Sequence, residues 1–189
     1  ATTDVIAIVA SAVERGAKGD PAGTPAATRI MALRFFVNCF RPPDMRPLIF
    51  ARCGIVMGAA RACLSPPSST NVQVQLGIAS LVLNYAVASG EGGENRGAEV
   101  LGGEQGLQET VQGGVELVSA LSSAADIEAA NEADVPYRVL CGLGTIFVTN
   151  TRTVGWAKSL NLASLIGNLA SKQKAGKGRE CAQQVLALL

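Results

Sequence analysis

The polar residues with chemical potential in this chain sit in a few stretches that are otherwise apolar. In IMALRFFVNCFR, Arg34, Asn38 and Arg41 follow one another at steps of four and three, so a helix projects all three from one face. The same spacing gives Gln73, Gly77, Ser80 and Asn84 in VQVQLGIASLVLNYAV, and Arg138, Gly142, Thr145 and Thr149 in VPYRVLCGLGTIFVTN. Asparagine offers a donor and an acceptor to an extended backbone, while arginine makes paired bonds to carboxylates. That combination suits capture of an acidic peptide. The stripes are narrow, and they mix Arg and Asn with small residues instead of the Lys and Glu of an ordinary solvent face. Arg34, Asn38, Arg41, Asn84, Arg138 and Thr145 are therefore the candidate peptide-binding residues.

Bond-breaking chemistry finds no such support. The chain has no histidine, no GxSxG elbow and no phosphate loop, so the usual acyl-transfer and proteolytic mechanisms lack their base. The five cysteines, Cys39, Cys53, Cys63, Cys141 and Cys181, are odd in number and widely spaced, with no CxxC pair. They read as buried thiols of a reducing compartment. A zinc site would need clustered ligands, usually with histidine. No enzyme activity, cofactor or metal is expected. The residues from 90 to 134 hold most of the carboxylates, and the glycine-rich and adjacent acidic stretch reads as too mobile to hold a catalytic geometry.

Charge is segregated although the total is only +1. Residues 90–134 contain ten acidic residues and one base, Arg96, whereas the rest of the chain holds fifteen bases and five acids. An anionic partner fits the basic blocks. Nucleic acid fits less well, because the bases are not interleaved with aromatics and the net charge is near zero. A membrane surface finds little support either, because the basic end KQKAGKGR lacks the bulky apolar residues that interfacial insertion needs.

The elements that must position the stripes are helices. Apolar residues recur with helical period and no convincing alternating run appears. Helices are expected over about 3–15, 26–40, 54–64, 70–89, 107–121, 126–133, 135–149, 151–160 and 178–188, with Asp44 capping a short helix across MRPLIFAR. Nine glycines and five glutamates mark 90–114 as a flexible acidic insertion. Gly142 leaves room for a larger side chain, and Trp156 is an outer-helix core contact. With 48% hydrophobic but only 4% aromatic residues, the core must come from many small aliphatic contacts, which suits an all-α superhelix of stacked repeats. No uninterrupted apolar run reaches the roughly 18 residues of a membrane span. The start at Ala1 within an apolar pattern reads as a piece of something longer.

Four strings in order, ALRFFVNCF, ASLVLNYAV, YRVLCGLGTI followed by AKSL, and ECAQQVLALL, together resemble the PUL domain, the C-terminal module of the phospholipase A2-activating protein family of ubiquitin-pathway adaptors. The resemblance covers residues 1–189 apart from the insertion and lacks the first helices of the family module. It implies an armadillo-like fold whose basic concave groove takes the acidic C-terminal tail of the AAA ATPase valosin-containing protein (Cdc48), a tail with a penultimate aromatic residue. Arg34 and Arg138 stand at the family's tail-binding arginines, and Asn38 and Asn84 match its NCF and LNY positions. The resemblance further implies action in ubiquitin-dependent protein turnover in cytoplasm and nucleus, with ubiquitin bound only through other domains of the full-length protein; the family name also suggests an alternative function, lipid binding or regulation of a phospholipase.

Overall fold

A computed structural model describes residues 4–17, 25–64, 70–90 and 103–189. Its helices are α1 (Val5–Ala17), α2 (Ala26–Cys39), α3 (Arg46–Ala51), α4 (Cys53–Ala62), α5 (Val72–Gly90), α6 (Gly103–Ser123), α7 (Glu128–Glu132), α8 (Val135–Thr149), α9 (Arg152–Ser159), α10 (Leu162–Lys172) and α11 (Lys177–Leu188), with a 3-10 turn at Pro43–Met45. No strand occurs among the described residues.

Two ladders of helices organise the packing. In one, α2 packs on α5, α5 on α8 and α8 on α11; in the other, α1 packs on α4, α4 on α6 and α6 on α10. Along the chain, α3–α4–α5 and α9–α10–α11 each run as a short helix, a rung of the second ladder and a rung of the first. The expected all-α superhelix of armadillo-like repeats is therefore present.

Local signals account for most element ends. Asp4 precedes α1 and accepts the Ala7 N–H on Oδ1 at 3.0 Å, and Asn71 opens α5 by accepting from Gln73 and Val74 at 2.9 and 3.3 Å. Pro42 and Pro43 stop the chain continuing α2, and Arg46 Nε caps the exit by donating to the Phe40 carbonyl at 3.0 Å. Asp134 and Asn161, both at φ 58°, turn the chain between α7 and α8 and between α9 and α10. Asn and Asp tolerate that left-handed region better than other non-glycine residues. Asp44, expected as a cap, instead lies within the 3-10 turn, and α3 starts from Met45 without a side-chain cap.

α5 is the central wall. Val74, Ile78, Leu81, Val82, Tyr85 and Ala86 are buried along it, and Phe50 stands edge-on to both Phe40 and Tyr85 at 5.6 and 5.5 Å between centroids. Such edge contacts are worth about 0.5–1.5 kcal/mol each beyond area burial. α5 is also the one described helix long and apolar enough to cross a membrane, but it is flanked by α2 and α8 and most of it is buried.

Two expectations are corrected here. The flexible insertion 90–114 does not extend through 103–114. Those residues are the first half of α6, where Gly106 is buried and Gly113 and Gly114 are buried against α4 and α8. Residues 91–102 of that insertion lie outside the described residues. α10, not expected at all, buries Leu162, Ile166 and Leu169 as a rung on α6. Trp156 is half-buried on α9, which packs on α6.

The second ladder is held by ion pairs. Arg61 on α4 reaches Glu116 on α6 with Nη2 at 2.7 Å and Nε at 3.0 Å, and it pairs with Glu109 through Nη1. These carboxylates, read as too mobile for a fixed geometry, thus have one. Arg52 Nε pairs with Asp4 at 2.5 Å, and Lys172 Nζ donates to the Ser122 and Ala124 carbonyls at the end of α6 at 2.5 and 2.6 Å.

Candidate functional site

The polar stripes prove to be two kinds of residue interleaved. Gly77, Ser80 and Gly142 are buried, so they do not line an open face. They let helices approach: a Cβ at Gly77 would come within 2.9 Å of Leu33 Cβ, and one at Gly142 within 2.9 Å of the Leu83 nitrogen. The room expected beside Gly142 does not exist. The longer polar residues of the stripes then flank these close contacts.

On α2, Leu33 turns inward onto Gly77, and this leaves Arg34 exposed on the adjoining face. Arg34 Nη2 donates to Gln73 Oε1 across to α5 at 3.0 Å. Asn38 is exposed on the same helix, and Arg41 is exposed just beyond its end. Met31, 69% exposed, and Phe35, 36% exposed, add apolar surface beside Arg34.

Asn84 is half-buried, and its Nδ2 donates to the Val37 carbonyl at 3.1 Å. That bond clamps α5 to α2, so the Asn84 amide is already used in positioning the helix that carries Arg34. On α8, Thr145 is half-buried and its hydroxyl donates to the Cys141 carbonyl at 2.8 Å, one turn back, which leaves it only acceptor capacity for a partner. Thr149 does the same to Thr145 at 2.9 Å. Arg138, in the first turn of α8, is half-buried, and its Nε is shut off from solvent without a hydrogen-bond partner.

Electrostatically, Arg34 and Arg138 differ from the arginines of the second ladder. Arg52 and Arg61 are matched by carboxylates, whereas Arg34 meets a neutral amide and Arg138 has no carboxylate within ion-pair distance among the described residues. Uncompensated guanidinium donors on two rungs of one ladder, α2 and α8 with α5 between them, are able to take carboxylates of a ligand. Gln73, which accepts the Arg34 bond, was not among the six expected site residues. The signal for it was its place one step before Gly77 in the α5 stripe.

A separate cleft of about 650 Å³ lies between α7, the start of α8 and the α10–α11 turn, with Glu128, Glu132, Lys174 and Arg179 on its walls. None of the six expected residues lines it. Lys177 Nζ bridges it to Asp134 at 2.8 Å and sits 5.0 Å from the Tyr137 ring centroid.

The model of the family described as PUL domain matches residues 1–184. The chain belongs to the PUL domain family. This PUL domain is also 25% identical over 163 residues to the phospholipase A-2-activating protein of Xenopus laevis, a match covering 86% of the chain and 18% of that relative. The chain thus spans under a fifth of the length of that curated relative. As a PUL domain it is a protein-interaction module.

Proposed function

We propose that this PUL domain is a non-catalytic adaptor that captures the acidic C-terminal tail of the AAA ATPase valosin-containing protein (Cdc48), within ubiquitin-dependent protein turnover. The observation that carries the reading is the state of Arg34 and Arg138: both sit on the first ladder, and neither is neutralised by a carboxylate of the described chain. Arg34, Asn38 and Arg41 offer donors along the exposed face of α2, and Met31 and Phe35 beside them offer an apolar seat for an aromatic side chain of the tail. Asn84 and Thr145 take a lesser part, as their donors are engaged within the fold.

Shielding decides the strength. A charge-assisted bond held away from water contributes about 1.5–3 kcal/mol, against about 0–1 kcal/mol for an exposed pair. Half-buried Arg138 belongs nearer the first range, and exposed Arg34 gains most once the ligand covers it. Calorimetry with a peptide of the acidic tail should show binding to the parent chain and a loss of roughly 10- to 100-fold for Arg34→Ala and for Arg138→Ala, with far-UV circular dichroism unchanged. Equal affinity for all three proteins defeats the proposal. The name of the Xenopus relative motivates the lipid-directed alternative, and flotation of the chain with anionic liposomes would favour it.

A further inference from the structure

Forty residues apart in sequence, Cys141 on α8 and Cys181 on α11 bring their sulfurs to 3.4 Å. The contact belongs to a regular register between the two helices. Lys177, one turn before Cys181, pairs with Asp134 at the N-terminal end of α8, and one turn later a Cβ added at Gly144 would stand 3.2 Å from Val185 Cγ2. The two thiols are therefore held face to face by contacts on both sides, and closing them to a bond of about 2.05 Å requires only a small shift.

The other three cysteines offer nothing comparable. Cys39, Cys53 and Cys63 are buried; Cys53 meets the Thr110 hydroxyl at 3.6 Å and Cys63 donates to the Ala59 carbonyl at 3.5 Å. Cys141 is the one cysteine of the five that is not buried.

We propose that Cys141 and Cys181 are a paired oxidation site, which a peroxide converts to an intramolecular disulfide that staples α11 to α8. The Cys141 thiolate attacks one peroxide oxygen, the O–O bond breaks and hydroxide leaves, giving a sulfenic acid at Cys141. The Cys181 sulfur then displaces the sulfenic oxygen as water, with the Cys181 proton leaving with it. Two thiols and one hydrogen peroxide thus give one disulfide and two waters, both sulfurs being oxidised and the peroxide reduced. The order follows from access: Cys181 is buried, and burial followed by the neighbouring Cys141 pushes its thiol up to about 12, so it stays protonated until the first sulfur has reacted.

The test is brief treatment of the chain with hydrogen peroxide near stoichiometry, followed by non-reducing peptide mapping and thiol counting in denaturant. The expected product is a monomer with a Cys141–Cys181 linkage and three titratable thiols in place of five. Its melting temperature should rise by about 5 °C or more, reversed by dithiothreitol. Cys141→Ser, at a half-buried position, should keep all four remaining thiols reduced and show no peroxide-induced rise. Sulfinic acid at Cys141 without a linkage, a disulfide-linked dimer, or a linkage joining other cysteines would each overturn the assignment. So would an equal melting shift in Cys141→Ser.

Discussion

A single methyl group at Gly142 tests the crossing of α5 and α8. The ideal Cβ of Gly142→Ala would lie 2.9 Å from the Leu83 nitrogen, 2.9 Å from Val82 Cγ1 and 3.0 Å from Leu83 Cα. Two of these three atoms are backbone of a buried helix and cannot rotate away, so α8 must shift or α5 must bend. Overpacking of this kind costs about 1–3 kcal/mol, and rigid neighbours put the cost towards the upper end. Against it stands the intrinsic gain of replacing glycine by alanine inside a helix, about 1 kcal/mol. The net expectation is a loss of about 1–2 kcal/mol. Gly167→Ala in α10 isolates the opposing term, since Gly167 is exposed and its Cβ would meet nothing within 4 Å. That variant should gain about 0.5–1 kcal/mol. Urea unfolding followed by circular dichroism, with the m-value held fixed, reads both changes on one scale. Gly142→Ala as stable as the parent, or Gly167→Ala less stable than it, would refute the geometry of the crossing.

Other expected outcomes follow from single contacts. Asn84→Ala removes the donor to the Val37 carbonyl and should cost about 1 kcal/mol in urea unfolding, with a smaller effect on tail-peptide affinity than Arg34→Ala. Glu116→Gln leaves Arg61 with Glu109 alone. Partial exposure of both partners limits the loss to about 1 kcal/mol, and added salt should shrink the gap from the parent. The Asp4 carboxyl is held below its ordinary 3.8, first by the bond from the Ala7 N–H and then by Arg52. A group depressed on folding stabilises above its unfolded pKa, so this contribution is complete above about pH 4 and is lost as pH falls through the lower folded value. The protection factor of the Ala7 amide, its exchange relative to the free-chain rate at the same pH, should therefore fall below about pH 4 in the parent, and Asp4→Asn should flatten that dependence.

How far the sequence carried the fold depends on the element. α8 was legible to the residue, because VPYRVLCGLGTIFVT has proline at its start, unbroken apolar period and a polar stop. α5 was legible to within two residues from its unbroken apolar period. The start of α6 was not, and 107–114 reads both as helix and as flexible insertion, since its glycines suggest conformational freedom, whereas Gly113 and Gly114 sit where a Cβ would come within 3.0 Å of Met57 Cε and 2.8 Å of Leu143 Cδ2. Composition shows a missing side chain but not the neighbour that needs its absence. The same ambiguity misassigned Gly77 and Gly142 to an open groove. α10 escaped notice although Leu162, Leu165, Ile166 and Leu169 carry a helical period, because the break at Asn161 is a left-handed turn without Gly or Pro. Within the site, the spacing correctly put Arg34 and Asn38 on one exposed face. It had no means of showing that Asn84 donates to Val37, or that Cys141 meets Cys181, since those pairs are 47 and 40 residues apart.

The two ladders are fastened by different forces. From α1 to α10, charges and carbonyl dipoles join the rungs through Arg52, Arg61 and Lys172. From α2 to α8, glycine crossings and neutral amides join them through Gly77, Gly142, Gln73 and Asn84. Ionic strength acts on the first kind and scarcely on the second. Raising salt should therefore weaken the ties through Arg52 and Arg61 while leaving the close contacts at Gly77 and Gly142 as they are.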